Sequence, residues 1–292
     1  MASSRDIQRR IKSVANIGKV TRAMEAVSAS KMRRAQAATL ASRAYAEKAA
    51  QVMAYLSAQR GGGTLLHPLL QEHPDGKPLV VLITPNRGLT GGLVLNIIRY
   101  AVREAEERFG ADVAWVTIGR KGSHYLSRIG ADLDATFDDM PDGPSILDVT
   151  PVRQAILEGY LGPEYSSVHV VYADFGSVVR QEPVVRALVP IEVPEAEAKL
   201  PAEYSFEPSP EAILDEVLPR LLELRLYQTV LEAQASEHAA RMIAMRNATD
   251  AANELVDELT LTYNKARQAD ITSEILDIAG GAEALRKALA AK

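Results

Sequence analysis

The chain has 292 residues, of which 47% are hydrophobic and 24% charged, with a formal net charge of −5. That length admits one large domain or two ordinary ones, and the composition excludes a disordered or low-complexity polymer. The absence of cysteine removes disulfides, thiolate zinc sites, iron–sulfur clusters and cysteine nucleophiles together.

No segment approaches the roughly 20 consecutive apolar residues needed to cross a bilayer, so any link to a membrane runs through partners. The N-terminus is arginine-rich, serine-containing and poor in acids, a composition shared with mitochondrial transit peptides. The helical pattern, however, continues past any plausible cleavage point.

Ser3 to Gln59 contains no proline and one glycine, Gly18. Ile7, Ile11, Val14, Ile17, Val20, Met24 and Val27 recur in steps of three and four, which predicts one apolar stripe on a helix. The alanine-rich stretch 35–50 keeps helix propensity high and lets another helix approach closely. Unbroken, this helix would measure roughly 80 Å at about 1.5 Å per residue. Few globular domains bury such a length, so it projects or pairs.

Gly61-Gly62-Gly63 stops the helix, and Pro68, Pro74, Gly76 and Pro78 mark a loop. Leu79 to Thr84 then reads as a buried parallel strand. Helical periodicity resumes over 93–109. Further strands are expected at 113–118, 168–173 and 184–191, with a loop-rich excursion around Pro141, Gly143, Pro144 and Pro151. Strands alternating with helices predict a small Rossmann-like α/β domain with a mostly parallel sheet.

Ser209-Pro210-Glu211 predicts a helix start, with an N-cap serine, a proline at the first position and an acid on the dipole. Pro219 is expected to kink or briefly break this helix. From Arg220 to Ala279 there is neither proline nor glycine, so roughly 90 Å of further helix is allowed at about 1.5 Å per residue. Gly280-Gly281 is expected to close it. The fold class is therefore α/β: a long antiparallel coiled coil of the terminal helices plus a central α/β domain. Its parts are a first helix over 1–60, a linker over 61–78, the domain over 79–207 and a last helix over 208–292. The spacing is not a clean heptad, so irregular packing with small residues at the seam is expected. Met24, Met32, Met242 and Met245 are read as seam residues or as adaptable contacts to a partner.

Charge is unevenly spread. Arg5, Arg9, Arg10, Lys12, Lys19, Arg22, Lys31, Arg33 and Arg34 face only Asp6 and Glu25 within the first 36 residues. From Glu211 onward acids exceed bases. Either the two helices attract one another, or the basic collar meets an acidic protein partner, which would give steering and register more than affinity. Nucleic acid is a poor fit, because the basic stretch holds no aromatic residue to stack on a base.

The segment 86–92, Asn86-Arg87-Gly88-Leu89-Thr90-Gly91-Gly92, lies between a strand and a helix, where phosphate loops occur. It is neither G-x-x-x-x-G-K-[ST] nor G-x-G-x-x-G, and reads as a tight turn. Gly119-Arg120-Lys121-Gly122 reads as a turn after a strand with two exposed bases. His67, His73, His124, His169 and His238 show no metal-ligand spacing. Ser28, Ser30 and Ser123 lack a G-x-S-x-G setting. No cofactor or metal is expected, and catalysis finds no support.

Two terminal segments go beyond generic helix. The sequence RRIKSVANIGKVTRAMEAVSASKMRRAQ at 9–36 resembles the N-terminal signature of the γ subunit of F-type ATP synthases. ASEHAARMIAMRNATDAANELVDELTLTYNKARQADITSEILDIAGGAEAL at 235–285 is similar to that family's C-terminal signature. NRGLTGGL and DFGSVVRQEPVVRALVP match weaker family stretches between them. Asn86 and Thr90 stand where many relatives have Asp and Cys.

The resemblance implies a non-catalytic central stalk on the cytoplasmic face of the bacterial inner membrane. Its helix pair would stand inside a ring of three α and three β subunits, and its foot, with the ε subunit, on a c ring turned by protons. It also implies that Lys19, Met24, Arg241, Gln268, Thr272 and Glu274 contact β, and that Tyr204 and Glu207 lie near ε and the c ring. Two other readings compete: a nucleotide-binding enzyme on the Rossmann-like middle, and a free-standing coiled-coil adaptor.

Overall fold

A computed structural model describes residues 4–59, 67–192 and 209–290. Its elements are α1 (Ser4–Gln59), a 3-10 turn at Pro68–Leu70, β1 (Lys77–Ile83), α2 (Leu93–Phe109), β2 (Ala114–Ile118), α3 (Arg120–Ile129), β3 (Asp132–Phe137), α4 (Ile146–Leu161), β4 (Tyr165–Phe175), β5 (Gln181–Val189) and α5 (Pro210–Ala290). By packing they form two units, one of Met1–Ala26 with Ile243–Lys292, the other of Val27–Met242. Both long helices contribute to each.

The larger unit is built on a five-stranded sheet in the order β3-β2-β1-β4-β5. The first four strands run parallel and β5 runs antiparallel to β4. Central β1 is buried on both faces, which is why its sequence is a continuous apolar run rather than an alternating one. Val80, Leu82 and Trp115 pack against Ile97, Ala101 and Leu126 of α2 and α3. On the other face Leu79, Val81 and Val116 meet Ile156 and Tyr160 of α4 and Leu218, Leu222 and Leu226 of α5. The last helix thus serves as a layer of the domain as well as a terminal segment.

In the smaller unit α1 and α5 pair antiparallel. A Cβ on Gly18 would lie 3.4 Å from the Ala252 Cβ, and the hydroxyls of Thr21 and Thr249 are 2.7 Å apart. Three residues back along one helix therefore correspond to three forward along the other. Among the described residues of α1, across both units, the fully buried positions are Ile7, Gly18, Thr21, Ser28, Met32, Ala35 and Thr39, with half-buried Ile11, Val14 and Glu25 between them. They step alternately by four and three, a heptad seam. On α5 the seam continues through Met245, Thr249, Ala252, Val256, Leu259, Tyr263 and Ala266.

Several expectations are corrected. The helical seam follows a regular heptad, which the apolar pattern hides because glycine, threonine and serine occupy it. Ile17, Val20 and Val27, counted in the apolar stripe, are 54%, 58% and 54% exposed. Pro219 does not break α5, which runs unbroken from Pro210 to Ala290. The proline forgoes one backbone bond, to the Asp215 carbonyl, while its neighbours Leu218, Leu221 and Leu222 are buried in the domain core. Nor does Gly280-Gly281 end the helix; neither glycine takes the left-handed conformation of a C-cap. The loop-rich stretch ends at Ser145, the N-cap of α4, and Pro151 lies inside that helix. That helix is nucleated by Asp148, whose carboxylate accepts from the Ser145 amide and hydroxyl at 2.7 Å each.

Gly119 joins β2 to α3 at φ +99°, and a Cβ there would stand 1.9 Å from the Thr84 carbonyl oxygen. Gly119→Ala therefore meets both backbone strain and a backbone clash, and we expect a loss of about 2 kcal/mol or more. Denaturant unfolding followed by emission of Trp115, the sole tryptophan and 6% exposed, checks this.

Candidate functional site

The carboxyl ends of the parallel strands are where an α/β sheet holds a ligand, and here they are occupied by the chain itself. Buried Thr84 accepts from the Gly122 amide at 2.8 Å and donates to the Gly119 carbonyl at 3.2 Å. Asn86 accepts from the Arg120 amide at 2.9 Å. The amides of Arg120, Lys121 and Gly122 in the first turn of α3 are thus spent on the residues that follow β1. Among the described residues no group of His, Cys, Asp or Glu could hold a metal ion, and no helix is long and apolar enough to cross a membrane.

The same end of the sheet meets the long helices through a polar cluster. Gln234 of α5 accepts from the Gly143 amide at 3.0 Å and donates to the Pro141 carbonyl at 2.7 Å. Asp142, between them, pairs with Lys31 of α1. One and two turns further on, Arg241 pairs with Glu237, reaches His238 Nδ1 at 3.2 Å and lies 3.5 Å from the Gly88 carbonyl. Burial raises the pKa of Glu237 despite Arg241 beside it. Burial also works against the charge of Asp142, but the hydrogen bond and charge of Lys31 hold its pKa below the ordinary value. His238, with a side chain only 3% exposed, is pushed down to about 4 by burial.

The residues singled out from the sequence fall into distinct settings. Arg241 is half-buried within this cluster of the larger unit. Lys19 and half-buried Met24 lie on α1 of the smaller unit. Gln268, Thr272 and Glu274 lie on α5, beyond Ala266, where every residue from 267 to 282 is exposed. Tyr204 and Glu207 lie outside the described residues. The exposed stretch carries Ile271, Ile275, Leu276 and Ile278 at 47%, 60%, 65% and 73% exposure. Composition alone missed Lys31, Asp142 and Gln234 as a group, since their association spans some two hundred residues of chain and leaves no local spacing signal.

Because the pKa of His238 falls from 6.5 to about 4 on folding, the unfolded chain takes up its proton first as pH drops. Its contribution is complete above about pH 6.5 and is lost progressively towards about pH 4, by on the order of 3 kcal/mol. Glu237, with a raised pKa, acts with the opposite sign, so the variant comparison isolates the histidine. His238→Gln is expected to flatten the fall in stability between those values, measured by denaturant titration at a series of pH values.

The family model described as ATP synthase matches residues 3–285. The ATP synthase gamma chain of Herpetosiphon aurantiacus is 48% identical, over 98% of this chain and 100% of the relative. That of Roseiflexus sp. is 46% identical, over 98% and 99%. A chain of the Euglena gracilis mitochondrial ATP synthase, in a structure of OSCP, F1 and the c-ring, is similar at TM-score 0.63 and 19% identity, covering 97% of this chain and 94% of that one. A chain from the central stalk and c-ring of the Tetrahymena thermophila mitochondrial enzyme is similar at TM-score 0.60 and 22% identity, covering 78% and 99%. With sequence likeness over nearly its whole length and the same fold as those two chains, the protein belongs to the γ-chain family of ATP synthases.

Proposed function

We propose that the chain is the central rotating stalk of an F-type ATP synthase, coupling proton-driven rotation of a c ring to ATP synthesis and hydrolysis on a ring of three α and three β subunits. It holds no catalytic site of its own. In this reading 1–60 and 208–292 serve as the shaft and 79–207 as its foot, standing with ε on the c ring at the cytoplasmic face of the membrane. Tyr204 and Glu207 belong to that foot contact.

The observation that carries this reading is the end of α5. From 267 to 282 no residue is buried, yet four large aliphatic side chains stand there at 47–73% exposure. A helix isolated in water draws little stability from propensity alone, and exposed aliphatic groups on this scale mark a surface that another protein covers. Gln268, Thr272 and Glu274 share that stretch and would meet β from it. Lys19 and Met24 would do so from α1, whose exposed face is basic. Arg241, which also lies 3.5 Å from the Gly88 carbonyl, would meet β from α5 as well.

The physical requirement on such a part is modest. A ligand shifts a conformational equilibrium only by its differential affinity for the states. A rigid, asymmetric helix pair presents a different face to each surrounding subunit, and so biases each site differently without chemistry of its own.

Co-expression with the α and β subunits of the same organism, followed by native mass spectrometry, tests the reading. One copy of this chain per three α and three β in an ATP-hydrolysing particle is the expected result. Absence from a particle whose α and β fold normally would overturn it. Ile275→Asp combined with Ile278→Asp should lower the recovery of the complex at least about tenfold, because each charge replaces an aliphatic group at a covered position.

A further inference from the structure

The loop between β3 and α4, residues 138–145, is bound by side chains from every helix around it. At its start Asp138 accepts from the Ser123 hydroxyl at 3.1 Å, and Asp139 pairs with Arg120 at 3.2 Å, so this part is tied to the first turn of α3. At its end Ser145 and Asp148 lock it to α4. Its middle reaches the two long helices. The carboxamide of Gln234, itself 9% exposed, bonds the chain on both sides of Asp142. Asp142 in turn pairs with Lys31. Gly143 holds φ +76°, a conformation that turns its amide at little cost because the residue is glycine.

We propose that this loop is a bracket that fastens the α/β domain to both shaft helices at once, with Gln234 and the Lys31–Asp142 pair as its positioning residues, so that rotation of the foot reaches α1 and α5 together. The inference rests on the stalk reading above.

α5 is already held to the domain by its own buried leucines. Among the described residues, α1 contributes none to the apolar clusters of the domain. Its seam meets α5 at Gly18 and Thr21, and Lys31 of α1 meets the α/β domain through an ion pair with the loop. The bracket gives torque entering at the domain a route to α1 besides the seam with α5. With it, the two helices are loaded in parallel. Mechanical coupling can be carried by a contiguous chain of packed and hydrogen-bonded groups, and the loop supplies one from α3 and α4 through to α1. A surface ion pair of this exposure adds little to global stability, so its effect should appear in stiffness rather than in folding.

The test is single-molecule. In the assembled complex with α and β fixed to a surface, a bead is attached to the domain through Leu161→Cys, an exposed position in a chain without other cysteines. Angular variance during a catalytic pause reports torsional compliance. Lys31→Gln and Asp142→Asn should each raise that variance by about twofold, as expected when one of two parallel attachments is lost. The double variant should be no softer than either single one, as for groups acting through one interaction. Lys31→Arg, which keeps the charge, should stay at the wild-type value. Unchanged variance in the single variants, or additive softening in the double, would overturn the bracket. A wild-type particle that does not rotate would instead overturn the stalk reading, leaving the two failures distinguishable.

Discussion

Close approach of two helices across a seam of small side chains is the constraint on which the rest of this structure depends. With Gly18 against Ala252 and Thr21 against Thr249, the backbones come near enough for hydroxyls and methyl groups to make the contact. Each threonine hydroxyl also lies within reach of a carbonyl on its own helix, Gly18 at 3.1 Å and Met245 at 2.9 Å. These polar groups therefore enter the seam without being stranded. Such a seam is thin and buries little apolar area. It leaves large aliphatic and basic side chains on the outside, the opposite of what a free-standing coiled coil does.

That inversion makes sense for a part that is enclosed by others. In the stalk reading, the exposed aliphatic groups of α1 and of the end of α5 would become contacts once partners surround them, and the basic residues along α1 would complement an acidic partner. The α/β domain is the reverse case. Its strand ends, where a ligand would sit in a nucleotide-binding relative of this architecture, are filled by Thr84 and Asn86 and their bonds to α3. In the stalk reading the fold would serve as a base, with its loops holding helices.

Much of this was legible in the sequence. The long helices showed as proline-free stretches, β1 as a wholly apolar run, and the start of α5 as Ser209-Pro210, where the Ala212 amide does bond the serine hydroxyl at 3.2 Å. Strand β3 was not legible, because an edge strand reading Asp-Leu-Asp-Ala-Thr-Phe buries none of its residues fully. Pro151 and Pro219 misled for one reason: local penalties of this kind are outweighed when flanking leucines and valines are buried. The heptad was hidden because its positions are small and polar, so a search for apolar periodicity followed Ile17 and Val20 onto the outer face. The polar cluster at the strand ends was invisible in principle, since Lys31, Asp142 and Gln234 meet only in three dimensions.

The central claim is that the end of α5 is completed by surrounding subunits. Hydrogen exchange of the backbone amides of 267–282, compared between the isolated chain and the assembled complex with α and β, tests it most directly, because protection reports local opening. The account predicts rapid exchange in the isolated chain and strong protection, by about tenfold or more, in the complex. Equal exchange in the two states would mean that this helix end stays in water, and would contradict the reading of the chain as an enclosed rotor.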